Sequence, residues 1–194
     1  YQDDPKTLLD DIFQNKMYKG TSFGMPILGP EENIRSFTKE DLLKFREDYY
    51  IDDNSCLVII GNIDFKKLTI KLEKLFEKLS HDKDSKTIQQ QFIITNQKRP
   101  YLYIKYDNNM KQTLVKISFK TLGRNNPYSN VLHLIEEILS NGSSSRLFVL
   151  LRNKLAVTYF NTVSYDQFKD IGTFTITMGI DPKRVPQVIK AVLN

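Results

Sequence analysis

Arg152 and Tyr159 are the residues whose types and spacing best suit chemistry. Ser143–Ser145 read as the cap of a helix that carries Arg152 near its C-terminal end. Val157–Tyr165 then reads as a strand carrying Tyr159. Such a helix-to-strand corner brings a guanidinium and a phenol together. The pair can hold a peptide carbonyl and stabilise charge developing on it. The local residues taken alone favour a plainer role. A cation is favoured at a helix C-terminus by the helix dipole, and a strand tyrosine can pack on the arginine stem. Both readings stay open on local sequence.

No other group supplies an evident reaction. Of the two histidines, His81 lies in a charged stretch and reads as solvated surface. His133 opens an H-x-x-E pattern, His133 to Glu136, on a helix where positions three and four apart share a face. A zinc site there would need a second neutral nitrogen or a thiolate, and the next position on that face is Glu137. One histidine with carboxylates is a poor zinc set, so no metal ligand is assigned in this chain. Cys56, the only cysteine, lies in an apolar run where a small hydrophobe is expected, which excludes a disulfide framework. No nucleophile has a recognisable base beside it, and no phosphate-binding glycine loop is present.

The net charge of +5 is unevenly placed. Residues 1–97 hold 14 basic and 17 acidic side chains, and residues 98–194 hold 14 basic and 6 acidic. Tyr101–Tyr106 interleaves aromatics with Lys105, a pattern that can stack on single-stranded nucleic acid. Alternating aromatics equally suit an ordinary strand, and lysines an ordinary solvated surface, so no nucleic-acid partner is assigned. No apolar run approaches the roughly 20 residues of a membrane span. The chain starts at Tyr1 without a signal-peptide pattern, and the reading is a soluble cytoplasmic protein in a reducing compartment.

The elements that must position the pair follow from pattern. Asp4-Pro5 opens a helix with Leu8, Leu9, Ile12 and Phe13 on one face. Gly20–Ile34 reads as a long loop, and Thr38–Asp41 as a capping box for the next helix. Ser55–Gly61 reads as a short apolar strand, after which Asp64 caps a helix through Leu79. The polar stretch 81–99 reads mainly as linker, with Phe92–Ile94 a candidate strand inside it. Tyr101–Tyr106 and Gln112–Phe119 predict a hairpin across Asp107–Asn109. Asn126-Pro127 starts a helix that ends at Asn141-Gly142. Val157–Tyr165 and Thr173–Ile180 predict an antiparallel pair, and Asp181-Pro182 a last helix.

Leu57–Asp64 runs from strand to glycine to capped helix, and Phe174–Asp181 repeats the arrangement. The echo points to two copies of one module. The fold class expected is α+β, with a mixed, largely antiparallel sheet flanked by helices and parts of two repeated modules. The expected division is 1–82 for the end of the first module, 83–98 for a linker and 99–194 for the beginning of the second.

Several motifs carry a resemblance that covers nearly the whole chain. Gly24–Ile34 contains a glycine–proline loop ending in Glu-Asn-Ile, and Phe37–Leu42 leads on to Phe45, Tyr50, Asn54 and Gly61. Ile138–Leu147 is similar to an LGGG-x-SSRL signature, and Leu151–Tyr159 to an LREK-x-GL-x-Y segment. Phe168–Asp170 with Gly172 follows in order. Together these resemble the insulinase-like, or pitrilysin-type, zinc metallopeptidases, in the branch that includes mitochondrial processing peptidase. Two departures are local. The family's glycine shortly before the tyrosine is matched to Val157-Thr158, and the glycine run after Leu139 is reduced to Asn141-Gly142.

The resemblance implies peptide hydrolysis with an inverted H-x-x-E-H zinc motif, zinc being the cofactor of the full-length enzyme. None of the zinc ligands maps onto this chain, and His133–Glu137 is at most a degenerate counterpart. Arg152 and Tyr159 match the family's substrate-gripping pair. By the resemblance, Tyr159 is catalytic and substrate-binding and donates its hydroxyl to the scissile carbonyl, while Arg152 binds substrate and orients the tyrosine. The implied partners are a peptide substrate and the missing zinc module, in the same chain or in a partner subunit, with homo- or heterodimers expected. The alternative is a non-catalytic partner subunit of a heterodimeric peptidase.

Overall fold

The computed structural model describes residues 4–51, 54–76, 97, 99–107 and 110–194. It divides into two compact units, Tyr1–Met25 with Phe92–Asn194, and Pro26–Gln91. The linker expected at 83–98 and the strand expected at Phe92–Ile94 fall almost wholly outside the described residues.

The first unit is built on three antiparallel strands, β1 (Thr113–Leu122), β2 (Thr158–Gln167) and β3 (Ile171–Ile180), in the order β1-β3-β2. β3 lies in the middle and is buried along its whole length. Its β-branched and aromatic residues suit that place, where side chains are covered on both faces. β1 pairs with it without interruption from Thr113↔Ile180 to Leu122↔Ile171.

The two faces differ in chemistry. Phe174, Ile176, Met178 and Ile180 form the apolar face with Val163 and Tyr165 of β2. They pack under Leu147 and Leu151 of helix α6 (Arg146–Phe148) and its continuation and Val188 of α7 (Val185–Leu193), with Leu132 and Leu139 of α5 (Ser129–Ser140) packed alongside. The opposite face carries Thr173, Thr175 and Thr177, all buried, beside Lys120, Ser118 and Lys116 of β1. Ser118 and Thr175 hydrogen-bond through their hydroxyls at 2.9 Å. Helix α1 (Pro5–Met17) meets this face through polar contacts. Asp10 pairs with Lys116, whose ammonium also sits 4.9 Å from the Phe13 ring centre, and the Tyr18 hydroxyl bonds that of Thr173.

Gly172 shows how closely the sheet packs. A Cβ there would stand 2.3 Å from the Leu122 carbonyl oxygen and 2.8 Å from Cε2 of Tyr165. Gly172→Ala is therefore expected to destabilise the unit by about 1–3 kcal/mol, read as a lowered urea midpoint with unchanged slope.

The second unit holds α2 (Glu31–Ser36), α3 (Lys39–Tyr49) and α4 (Phe65–Phe76). The capping box at Thr38 is present. The Asp41 amide donates to Thr38 Oγ1 at 3.2 Å, and the Thr38 amide to Asp41 Oδ2 at 2.9 Å. Asp64 caps α4 by accepting from the Lys67 amide at 3.2 Å. Ile51 is buried after α3, and its carbonyl accepts from Ser55 Oγ at 2.6 Å.

Several local expectations are corrected. The predicted loop Gly20–Ile34 contains a short 3₁₀ turn at Ser22–Gly24 and the start of α2. Glu31 and Glu32 favour a helix N-terminus there, and Arg35 pairs with Glu31 one turn on. The predicted hairpin of 101–106 with 112–119 does not form. β1 takes β3 as its ladder, and the alternating tyrosines of 101–106 have no strand partner among the described residues. Leu57–Ile60 likewise forms no ladder, Ile60 is 93% exposed, and Cys56 is exposed rather than packed. Alternation and apolar runs give strand propensity, but pairing is decided by a distant partner. Helix α5 starts at Ser129 rather than Asn126, because Asn126 Oδ1 accepts from the Tyr128 amide and holds a turn.

Candidate functional site

The corner bearing Arg152 and Tyr159 departs from regular geometry three times within a few residues. After Phe148 the helix widens to a π-helix, Val149–Lys154, and the Leu155 amide bonds the Leu150 carbonyl five residues back at 3.0 Å. Such turns recur at functional positions. Ala156 then takes φ +50°, the left-handed region, and the Val157 amide closes back on the Leu151 carbonyl at 3.0 Å. Finally β2 bulges. Thr158 pairs with Ile180 and Phe160 with Gly179, leaving Tyr159 as the extra residue. A bulge turns the strand and re-aims its side chain.

The inner side of this corner is anchored in the core by Leu147, Leu151 and Val157. The outer side presents the pair. Tyr159 is 67% exposed, and Arg152 is exposed. Arg152 Nη1 donates to the Tyr159 main-chain carbonyl at 2.9 Å. The arginine thus grips the backbone of the bulge and leaves the phenol free of that bond. Its planar fork retains further N–H donors beyond the one used.

Two details differ from the local sequence reading. The backbone position that needs glycine-like freedom is Ala156, not Val157-Thr158. Ser145 occupies the N-cap position of α6 but makes no side-chain capping bond, and among the described residues its buried hydroxyl has no hydrogen-bond partner, nor has that of Thr158. A left-handed alanine carries a steric cost that glycine lacks. Ala156→Gly is expected to raise stability by about 0.5–1 kcal/mol, measured as a higher denaturant midpoint.

His133 has a different role from the Arg152 corner. Its Nδ1 donates to Glu136 Oε2 at 3.1 Å, and its Nε2 accepts from the side-chain amide of Gln167. Those partners fit the neutral imidazole. The other carboxylate oxygen of Glu136 accepts from the Tyr165 amide at 3.2 Å, and the imidazole stands edge-on to the Tyr165 ring at 5.0 Å. The H-x-x-E therefore ties α5 to strand β2. Glu137 accepts from the Asn141 side-chain amide instead of joining His133. Burial raises the pKa of the Tyr165 phenol, whose hydroxyl donates to the Leu122 carbonyl at 2.5 Å.

Beside this network lies an open cleft of about 480 Å³, lined by residues as far apart in sequence as Phe13, Arg124, His133 and Phe168. No local pattern could have assembled it, since it depends on α1 crossing the sheet. Among the described residues no group of three histidine, cysteine or carboxylate side chains could hold a metal ion.

Comparison with known proteins gives this geometry its context. Residues 36–194 match a family model described as the peptidase M16 inactive domain. The chain belongs to the M16 peptidase family. An uncharacterized zinc protease of Rickettsia felis is 32% identical over 180 residues, covering 90% of this chain and 41% of that protein. An uncharacterized zinc protease of Bacillus subtilis, YmxG, is 26% identical over 195 residues, covering 99% of this chain and 45% of that protein. The crystal structure of a protease from Helicobacter pylori superposes with a TM-score of 0.77 at 21% identity, over 99% of this chain and 47% of that one. A peptidase M16 inactive domain from Pseudomonas fluorescens matches with the same TM-score at 16% identity. These structures share the M16 fold, helices on an antiparallel sheet. The chain spans under half the length of these M16 relatives. The resemblance to the pitrilysin-type metallopeptidases and the α+β class both stand.

Proposed function

We propose that this chain is the substrate-gripping region of a zinc-dependent endopeptidase that cleaves peptides or unfolded polypeptides. The observation that carries the reading is the Arg152 guanidinium seated on the Tyr159 carbonyl, beside an exposed phenol on a bulge. An O–H donor held on rigid backbone can meet the scissile carbonyl oxygen as charge develops on it. Arg152 fixes the bulge through one N–H and offers the rest of its fork to a neighbouring substrate carbonyl. Among the described residues both nitrogens of His133 are engaged by Glu136 and Gln167, which supports reading His133 as a structural tie rather than a zinc ligand. Zinc would supply water activation from residues elsewhere in a longer protein, and no step here is assigned to it.

On this reading 1–82 is the end of a zinc-bearing module, 83–98 a linker and 99–194 the start of the substrate-binding module. The branch proposed is that of mitochondrial processing peptidase. The partners proposed are the zinc module, in the same chain or in a partner subunit of a homo- or heterodimer. No helix among the described residues is long and apolar enough to cross a membrane, and the compartment proposed is the cytoplasm.

The match to an inactive domain favours one second reading, a non-catalytic subunit completed by another chain. One assay addresses both. Cleavage of a quenched fluorescent peptide by the full-length protein is expected to be abolished by chelator and restored by zinc. Residues 1–194 alone are expected to give no turnover. Chelator-sensitive turnover by that segment would overturn the proposal. Turnover only after a second subunit is added would establish the other reading.

A further inference from the structure

We propose that the cleft beside His133 is a binding site for short zwitterionic peptides bearing an aromatic side chain. It shares no lining residue with the Arg152 corner. Its volume of about 480 Å³ lies in the range of small-molecule sites, roughly 300–1,000 Å³.

The walls are pre-formed. The Arg124 amide bonds the Phe168 carbonyl at 2.8 Å, and the Asn125 amide that of Lys169 at 3.3 Å. Gly123 makes this approach possible, since a Cβ there would stand 2.4 Å from the Asp170 carbonyl carbon. Phe168 meets Phe23 at a tilt of 46° with ring centres 4.2 Å apart and meets Tyr18 edge-on at 6.2 Å. A hydrogen bond ties two further lining residues, Gln167 and His133, together.

Three features select the ligand. Arg124 is exposed and, among the described residues, its side chain has no hydrogen bond or ion pair. A guanidinium fork without a partner suits a carboxylate. Asp166 lines the same cleft, held by Ser164 Oγ at 3.2 Å, with acceptor sites left for an ammonium group. Phe13 and Phe168 offer aromatic faces to a flat apolar side chain. A polyanion such as a nucleotide would be opposed by Asp166, whereas a group carrying both charges has a lining residue of opposite charge for each.

The test titrates alanyl-phenylalanine into the full-length protein and follows backbone amide resonances. Saturating shifts centred on Arg124 and Phe168, with a dissociation constant in the millimolar range, are expected. Removing the ammonium by N-acetylation, the carboxylate by amidation or the ring by use of alanyl-alanine should each weaken binding about tenfold. Arg124→Gln should weaken the dipeptide about tenfold and leave the amidated form unchanged. Asp166→Asn should weaken the free dipeptide about tenfold and leave the acetylated form unchanged. Equal binding of the amidated form, no saturation at millimolar concentration, or shifts abolished by Arg152→Ala rather than Arg124→Gln would each overturn the proposal. The readout is binding without turnover, so the peptidase reading and this one can fail separately.

Discussion

On the proposed peptidase reading, Tyr159→Phe is expected to lower kcat of the full-length protein by about 10²–10³, with little change in KM. The substitution removes one hydroxyl and nothing else. Tyr159 is 67% exposed, so its ring contributes little to the core and folding should be unaffected. Arg152 bonds the Tyr159 carbonyl, which phenylalanine keeps, so the bulge should also persist. The loss would then be a hydrogen bond made in the transition state rather than in the ground state. Steady-state kinetics on a fluorogenic peptide, beside an unchanged melting curve, checks this. An unchanged kcat would remove the phenol from the chemistry and leave the corner as a structural clasp.

Leu151→Ala is expected to cost about 2–5 kcal/mol of stability. Leu151 is 0% exposed and sits one residue before Arg152 on the inner side of the π turn. Its removal opens a cavity against the β3 side chains, and the backbone, held by the bond from the Val157 amide to the Leu151 carbonyl, has little freedom to relax into it. A loss of this size is a large fraction of a typical 5–15 kcal/mol total. Denaturant titration measures it directly. A cost below about 1 kcal/mol would mean that the corner does not lean on the core.

The contrast between these two variants shows what was legible in the sequence. The corner could be read because it is local. A helix, a short break and an alternating strand place Arg152 and Tyr159 together without any distant contact, although the serine cap read there makes no side-chain bond. The antiparallel pair of β2 and β3 could be read for the same reason, since Phe168–Asp170 joins strands of clear alternation. The π turn, the left-handed Ala156 and the bulge were not legible. Each is a compromise between the helix, the strand and a core already occupied by β3, and no residue type announces it. The sequence match to a glycine pattern identified a special backbone position but placed it one or two residues late. The tie between Glu136 and the Tyr165 amide, and the cleft beside it, were hidden because they join segments far apart in the chain. The exposed runs at Leu57–Ile60 and Tyr101–Tyr106 show the opposite failure, strong local propensity without a ladder.

The middle position of β3 also sets the order in which the sheet can assemble. β2 and β3 are joined by a tight turn, so their hairpin closes a short loop and can form within microseconds. β1 joins the other edge of β3 only after more than forty residues, including α5 and α6, have been drawn in. Closing that larger loop carries a greater entropic cost before any ladder bond repays it. The strand that bears Tyr159 is therefore in the early hairpin, and β1 is the late arrival on which completion of the core waits.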